Sequence, residues 1–212
     1  RTCDKQSKSC IPFHLGQKID ENSLCGVDIL VHCAYDYSKV LWRDIHEINV
    51  VGTMLLLEAA KKAKIKRIVY ISSISAFEGC QSLYGKAKLE CERIVQEYNG
   101  ITVRPGLIFG HGGGLVIQSM ESMVNKFPIV PFISSSSGLY LCHVDDLSNL
   151  IVEIITKTVL VANSPITAIE PTLFTFKDMI GLIQKRNNRF RPLLPVPWWL
   201  PWILVKIINY FG

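Results

Sequence analysis

The sequence predicts an α/β protein built on an open, doubly wound parallel sheet with a small C-terminal lobe, and three observations point there. Short β-rich apolar runs at 27–34, 67–72 and 101–109 alternate with longer stretches of helical spacing, as crossover connections between parallel strands require. The chain has 212 residues, 49% of them hydrophobic and 19% charged, enough to bury a sizeable core and too apolar for disorder. Turn signals such as Asn99-Gly100 separate the elements.

Taken in order, the apolar run at 11–15 reads as a strand, and 27–34 as the next. A helix over 44–63 buries Ile48, Val51, Leu55 and Ala59 at helical spacing. Its end carries Lys61, Lys62, Lys64, Lys66 and Arg67, where cations suit the negative pole of the helix. The strand at 67–72 follows, then a helix over 84–98 and the strand at 101–109. Beyond Gly110 a glycine-rich loop (Gly112, Gly113, Gly114) leads to a helix over 115–126. A Pro and Ser loop, including the serines at 134–137, runs to Gly138. A strand at 140–144, a helix over 145–157, a helix over 176–185 and a Pro- and Trp-rich tail complete the chain.

Composition excludes several classes. The net charge of +5 is mild, and the lysine cluster lacks the interleaved aromatics or motif of a nucleic-acid binder. Seven cysteines (3, 10, 25, 33, 80, 91 and 142) form no C-x-x-C pair, so neither a metal site nor a disulfide framework is favoured. Reduced thiols and a cytoplasmic location are expected. The longest uncharged runs, 127–142 and 192–205, are interrupted by prolines and fall short of the roughly 20 apolar residues of a spanning helix. The tail with Trp198, Trp199 and Trp202 reads as a packed element in preference to an interfacial membrane contact.

Tyr84 and Lys88 stand four apart on the second long helix and so share a face. An ammonium at that range stabilises a phenolate and makes the tyrosine a usable proton donor and acceptor. Tyr35 and Lys39 have the same spacing. Context selects Tyr84, because the preceding strand ends in Ser72-Ser73, at the carboxyl end where open α/β sheets bind ligands. A hydroxyl there can hold a substrate oxygen while the phenol exchanges its proton.

Six blocks in order then resemble an extended short-chain dehydrogenase/reductase of the NAD-dependent epimerase/dehydratase family. They are Gly26-Val27-Asp28-Ile29-Leu30-Val31-His32-Cys33-Ala34; Asn49-Val50-Val51-Gly52-Thr53 with Leu56-Leu57-Glu58-Ala59-Ala60; Ser72-Ser73; Tyr84-Gly85-Lys86-Ala87-Lys88; Arg104-Pro105-Gly106-Leu107-Ile108-Phe109-Gly110; and His143-Val144-Asp145-Asp146-Leu147. The resemblance covers about residues 24–150 and implies a Rossmann-like fold. It makes Tyr84 the acid/base, Lys88 its partner and a ligand of the nicotinamide ribose, and Ser73 the substrate-oxygen donor. Ala34, Asn49, Ser72 and Pro105 would line the cofactor, NAD or NADP. It implies a partial dinucleotide-binding domain over 1–110 and a substrate-side lobe over 111–212, with 140–157 packing back on the first.

Two departures qualify the match. Only ten residues separate Ser73 from Tyr84, which leaves Ser75 as an alternative donor. The family's opening strand and Gly-x-x-Gly-x-x-Gly turn do not precede Val27. In a sheet of order 3-2-1-4-5-6, 11–15 would be strand three and 27–34 strand four. The chain is therefore expected to be an N-terminally truncated piece that binds NADH or NADPH weakly.

The expected function is hydride transfer on a nucleotide-sugar-like hydroxyl or ketone, as an oxidoreductase or epimerase. A non-catalytic relative and a reductase of hydrophobic, steroid-like alcohols are the alternatives. The expected partner is a small molecule, with a homodimer left open. The glycines at 110–114 lack a phosphate-loop spacing, Asp145 and Asp146 read as helix caps, and His32 reads as a core or cofactor-edge histidine.

Overall fold

The computed structural model describes residues 11–111, 114–133, 138–157 and 164–197. Within them, one compact unit comprises residues falling in Arg1–Pro105 and Asn149–Ala168, and a second those in Gly106–Ser148 and Ile169–Gly212.

The first unit holds a four-stranded parallel sheet in the order β1-β2-β3-β7. Its strands are β1 (Ile29–His32), β2 (Arg67–Ile71), β3 (Ile101–Pro105) and β7 (Ile166–Ala168). Ile29 stands opposite Arg67, Val69 opposite Ile101, and Val103 opposite Ile166. Ile68, Val69, Tyr70 and Ile71 are all buried, the unbroken apolar run of a strand inside a parallel sheet.

Helical segments α1 (Trp42–Ile45) and α2 (Gly52–Lys62) join β1 to β2, and α3 (Leu83–Glu97) joins β2 to β3. Leu57, Tyr70, Ala87, Cys91 and Val95 form the core between them. The single helix expected over 44–63 is interrupted by a π-helical segment, His46–Val51. The lysine-rich end of α2 is put to structural use. Arg67 donates to the last carbonyls of α5 (Val144–Thr156), at 2.7 Å from Ile154 and 2.8 Å from Ile155, and Lys66 pairs with Asp28.

Two strand expectations need correction. Residues 11–14 are irregular and Leu15-Gly16 turn. Gly16 adopts φ +87°, which ends an extended run, and Ile11 and Phe13 stay exposed. The strand expected at 101–109 breaks at Gly106, because Pro105 offers no N–H and a Cβ at Gly106 would strike the Tyr140 carbonyl.

β4 (Leu107–Phe109) therefore belongs to the second unit. It pairs in parallel with β6 (Leu139–His143), which pairs antiparallel with β8 (Leu173–Phe174). β5 (Val130–Ile133) pairs with β9 (Leu193–Val196). α4 (Leu115–Lys126) and α6 (Phe176–Arg186) pack Met120, Val124, Ile180 and Ile183 against Val130. α6 opens with a capping box of Thr175 and Asp178. No described helix is long and apolar enough to cross a membrane. The tryptophans of the tail, Ser134 to Ser137, Gly112 and Gly113 lie outside the described residues.

Candidate active site

The site lies in the first unit, where the chain leaves β2. Ser72 N–H still donates to Val103 O at 2.7 Å and Ile74 N–H to Pro105 O at 3.1 Å, so the segment stays extended beside β3. α3 starts under a Ser82 cap, whose hydroxyl accepts from Gly85 N–H at 3.0 Å. Gly85 is what lets the short connection from Ser73 fit: a Cβ there would collide with the Ser75 carbonyl and come within 3.1 Å of Cys80 Sγ.

From this start, α3 presents Tyr84, Lys88 and Glu92 along one face. Lys88 is 3% exposed and donates from Nζ to Ile71 O at 2.8 Å. The rings of Tyr70, Tyr35 and Tyr84 surround the ammonium at 4.8, 5.2 and 6.0 Å to their centroids, within cation–π range. Burial pulls its pKa down to about 8, since desolvation disfavours the charged form.

Tyr84 meets two rings. Burial above all, and then Tyr37, hold its phenol well above its ordinary pKa, and the nearby Ser73 hydroxyl pulls the other way. Lys88 was expected to make this phenol acidic; burial is the largest influence on it. The Tyr35 ring meets Tyr84 edge-on at 5.0 Å, and the Tyr37 ring stacks on it at 5.8 Å. Tyr35 does not form a helical pair with Lys39, because 35–39 is a loop; burial and Tyr37 push its phenol up to about 12.

The remaining predicted residues take distinct places. Ala34 lies just past β1, and Pro105 closes β3. Asn49, buried in the π-helical segment, grips the backbone of Asp36 in both directions: its Oδ1 accepts from Asp36 N–H at 2.7 Å and its Nδ2 donates to Asp36 O at 3.2 Å. Its side chain thereby holds the loop that carries Tyr35 and Tyr37. The Ser72 hydroxyl points inward and donates to Glu92. The Ser75 amide donates to Ser73 Oγ at 3.1 Å. Tyr35, set aside in favour of Tyr84, stands in the site as well, together with Tyr37, Tyr70 and Glu92, of which only Glu92 has a signal in the sequence, its spacing of four beyond Lys88.

His32 is buried, with Nε2 at 2.9 Å from Thr53 Oγ1. Burial and then Lys88 pull it down to about 3, so it is a neutral core histidine. In the second unit, Asp145 and Asp146 lie in the first turn of α5, and Asp145 N–H donates to His143 Nδ1 at 3.3 Å.

The donor set at Lys88 suits a ribose. Among the described residues no carboxylate pairs with this ammonium; one carbonyl and three ring faces hold it at the end of the parallel strands. Ammonium hydrogens not committed to a carboxylate fit a vicinal diol.

Comparison with known proteins follows the same line. A ceramide reductase of Caulobacter vibrioides is 26% identical over 123 residues, covering 57% of this chain and 38% of that protein. An Arabidopsis thaliana 3β-hydroxysteroid dehydrogenase/decarboxylase isoform is 24% identical over 139 residues, covering 54% and 25%. The chain thus spans well under half the length of these curated relatives. Bacillus cereus UDP-glucuronic acid 4-epimerase in complex with NAD superposes with a TM-score of 0.73 at 15% identity, covering 84% of this chain and 65% of that one. Bacillus anthracis dTDP-4-dehydrorhamnose reductase in complex with NADP gives 0.68 at 20% identity, covering 81% and 66%. These structures share the fold. Because residues 19–165 match the model of the NAD dependent epimerase/dehydratase family, the chain belongs to that family.

Proposed function

We propose that the protein carrying this chain is an NAD- or NADP-dependent oxidoreductase or epimerase acting on a secondary hydroxyl or ketone of a sugar-like substrate. The observation that carries the reading is buried Lys88 at the end of β2, its ammonium bonded to Ile71 O at 2.8 Å and 6.0 Å from the ring of Tyr84, one helical turn before it on α3. The nicotinamide, when bound, supplies or accepts the hydride. The chain's own residues do the rest. Ser73 holds the substrate oxygen and Tyr84 donates its proton to it, or takes one from it in the reverse direction. Lys88 offers its remaining N–H bonds to the ribose, and its positive charge eases the phenolate that forms. Ala34 and Pro105 flank the cofactor, while Asn49 and Ser72 act through the backbone that they fix.

A second reading has an observation of its own. Tyr37, Val40 and Leu41 sit exposed in the loop over Tyr84, a surface suited to a hydrophobic alcohol, and the relatives include a ceramide reductase and a hydroxysteroid dehydrogenase. The full-length protein, incubated with NAD or NADP and either UDP-glucose or dehydroepiandrosterone and followed both at 340 nm and by chromatography of the products, separates the two, because an epimerase regenerates its cofactor and shows only in the product. The first reading predicts turnover of the nucleotide sugar, and Ser73→Ala should slow it about 100- to 1,000-fold. No turnover of either compound, or a Ser73→Ala enzyme as fast as wild type, contradicts the proton-transfer scheme.

A further inference from the structure

Two adjoining segments of the second unit hold large apolar side chains out in water. Where α4 runs into β5, Asn125 to Ile129 are all exposed, Phe127 at 52% and Ile129 at 48%. Beside them, the segment from α6 into β9 carries Phe190, 73% exposed, and Leu194, 53% exposed. The two segments are fastened together. Arg189 Nη1 donates to Asn125 O at 2.9 Å, Val130 N–H donates to Pro192 O at 2.9 Å, and Val130 stands opposite Leu193 in the β5–β9 pair. Phe190 is not on a loose end either, because buried Gln184 holds the next residue on both sides: its Nε2 donates to Arg191 O at 3.0 Å and its Oε1 accepts from Arg191 N–H at 3.2 Å.

The charge around these side chains has one sign. Residues 122–133 and 179–197 contain Lys126, Lys185, Arg186, Arg189 and Arg191 and no Asp or Glu. Among the described residues only Arg186 of this set meets a carboxylate, that of Glu121, and Arg189 bonds a neutral carbonyl. Lys126, Lys185 and Arg189 are exposed beside the apolar tips. Single exposed apolar residues are ordinary, but a cluster of them rimmed by polar groups marks an interaction surface.

The chemistry selects the occupant. Cations need an anion, whereas Phe, Ile and Leu gain only where hydrocarbon replaces water, and an anionic lipid surface offers both within the depth of a headgroup layer. A nucleic acid would answer the charges and leave Ile129 and Leu194 with nothing. The chain also continues from β9 into 198–212, which carries Trp198, Trp199 and Trp202 and a single charge, Lys206. We propose that the surface formed by Phe127, Ile129 and Phe190 docks on an anionic phospholipid bilayer, with Lys126, Lys185 and Arg189 on the headgroups. This contact is independent of the chemistry at Tyr84.

The test is sedimentation of the full-length protein with vesicles of phosphatidylcholine alone and with vesicles that also hold about 30% phosphatidylglycerol. The expected result is binding to the anionic vesicles and little to the neutral ones, with release as salt is raised. Phe190→Ser should lower the partition coefficient about 10-fold, and Arg189→Glu should do the same. Phe190 is exposed, so its replacement should leave the thermal melt unchanged. If Arg189→Glu loosens the bond to Asn125, Lys126→Glu must give the same loss. A wild-type protein that stays off anionic vesicles, or that binds a DNA duplex and no vesicle, overturns the proposal. Vesicle binding that Phe190→Ser and Lys126→Glu both leave unchanged overturns it equally, because the contact then lies elsewhere in the chain.

Discussion

Lys88 carries a positive charge in a place with little water and no carboxylate partner among the described residues, held by one carbonyl and three ring faces. Because burial lowers its pKa to about 8, the ammonium persists at neutral pH and is lost as the pH rises through that value. If that charge eases the Tyr84 phenolate, the rate of alcohol oxidation should level off or fall above about pH 8 even though a higher pH favours proton removal. A profile of kcat against pH from 6 to 10 checks this, and Lys88→Met should remove the break and lower kcat at pH 7 by about 100-fold. Arg104 makes a stability prediction at the same scale. Its Nε and Nη2 bond the buried Glu92 carboxylate at 2.8 and 2.6 Å, so replacing it by leucine leaves that charge with the Ser72 hydroxyl as its remaining partner, which costs about 3 kcal/mol and should appear as a lower Tm by calorimetry. The pair Tyr84 and Lys88 was legible because helical spacing puts i and i+4 together. The turn of Tyr35 and Tyr37 onto Tyr84 was not, since loop residues follow no period and their placement depends on Asn49 and Asp36, which meet only in three dimensions.

Elements with a strong local code were found close to their bounds. α3 has a Ser82 cap at its start and an Asn99-Gly100 exit, with Asn99 at φ 53°, and α4 runs over the residues expected. The π-helical interruption at His46–Val51 was hidden, because one extra residue in a turn barely changes a hydrophobic pattern. The short strands were hidden for other reasons. Leu173–Phe174 has too few residues to show alternation, and Leu193–Val196 contains Pro195, which argues against a strand unless it lies at an edge. Gly85 supplies the test at this scale. Gly85→Ala must push the Ser75 carbonyl and the Cys80 side chain away from α3, with an expected loss of about 1–3 kcal/mol and a displaced Ser73. Chemical denaturation measures the first effect, and a fall in kcat with cofactor affinity retained reports the second.

At the scale of the whole molecule, parallel strands and crossover helices were legible from alternating apolar runs. The run at 101–109 was read as one strand although it holds the turn signal Pro105-Gly106, where Pro105 offers no N–H and the Tyr140 backbone comes close to Gly106, and β3 and β4 fall in different sheets. In the proposed function, Tyr84 of the first unit transfers the proton at the end of the parallel sheet. The most direct measurement is product formation, by absorbance at 340 nm and by chromatography of the substrate, for the full-length protein and its Tyr84→Phe variant, with cofactor binding followed by fluorescence in both. The account predicts a fall in kcat of at least about 100-fold with cofactor affinity kept within a few-fold; a Tyr84→Phe protein that turns over like wild type would contradict it.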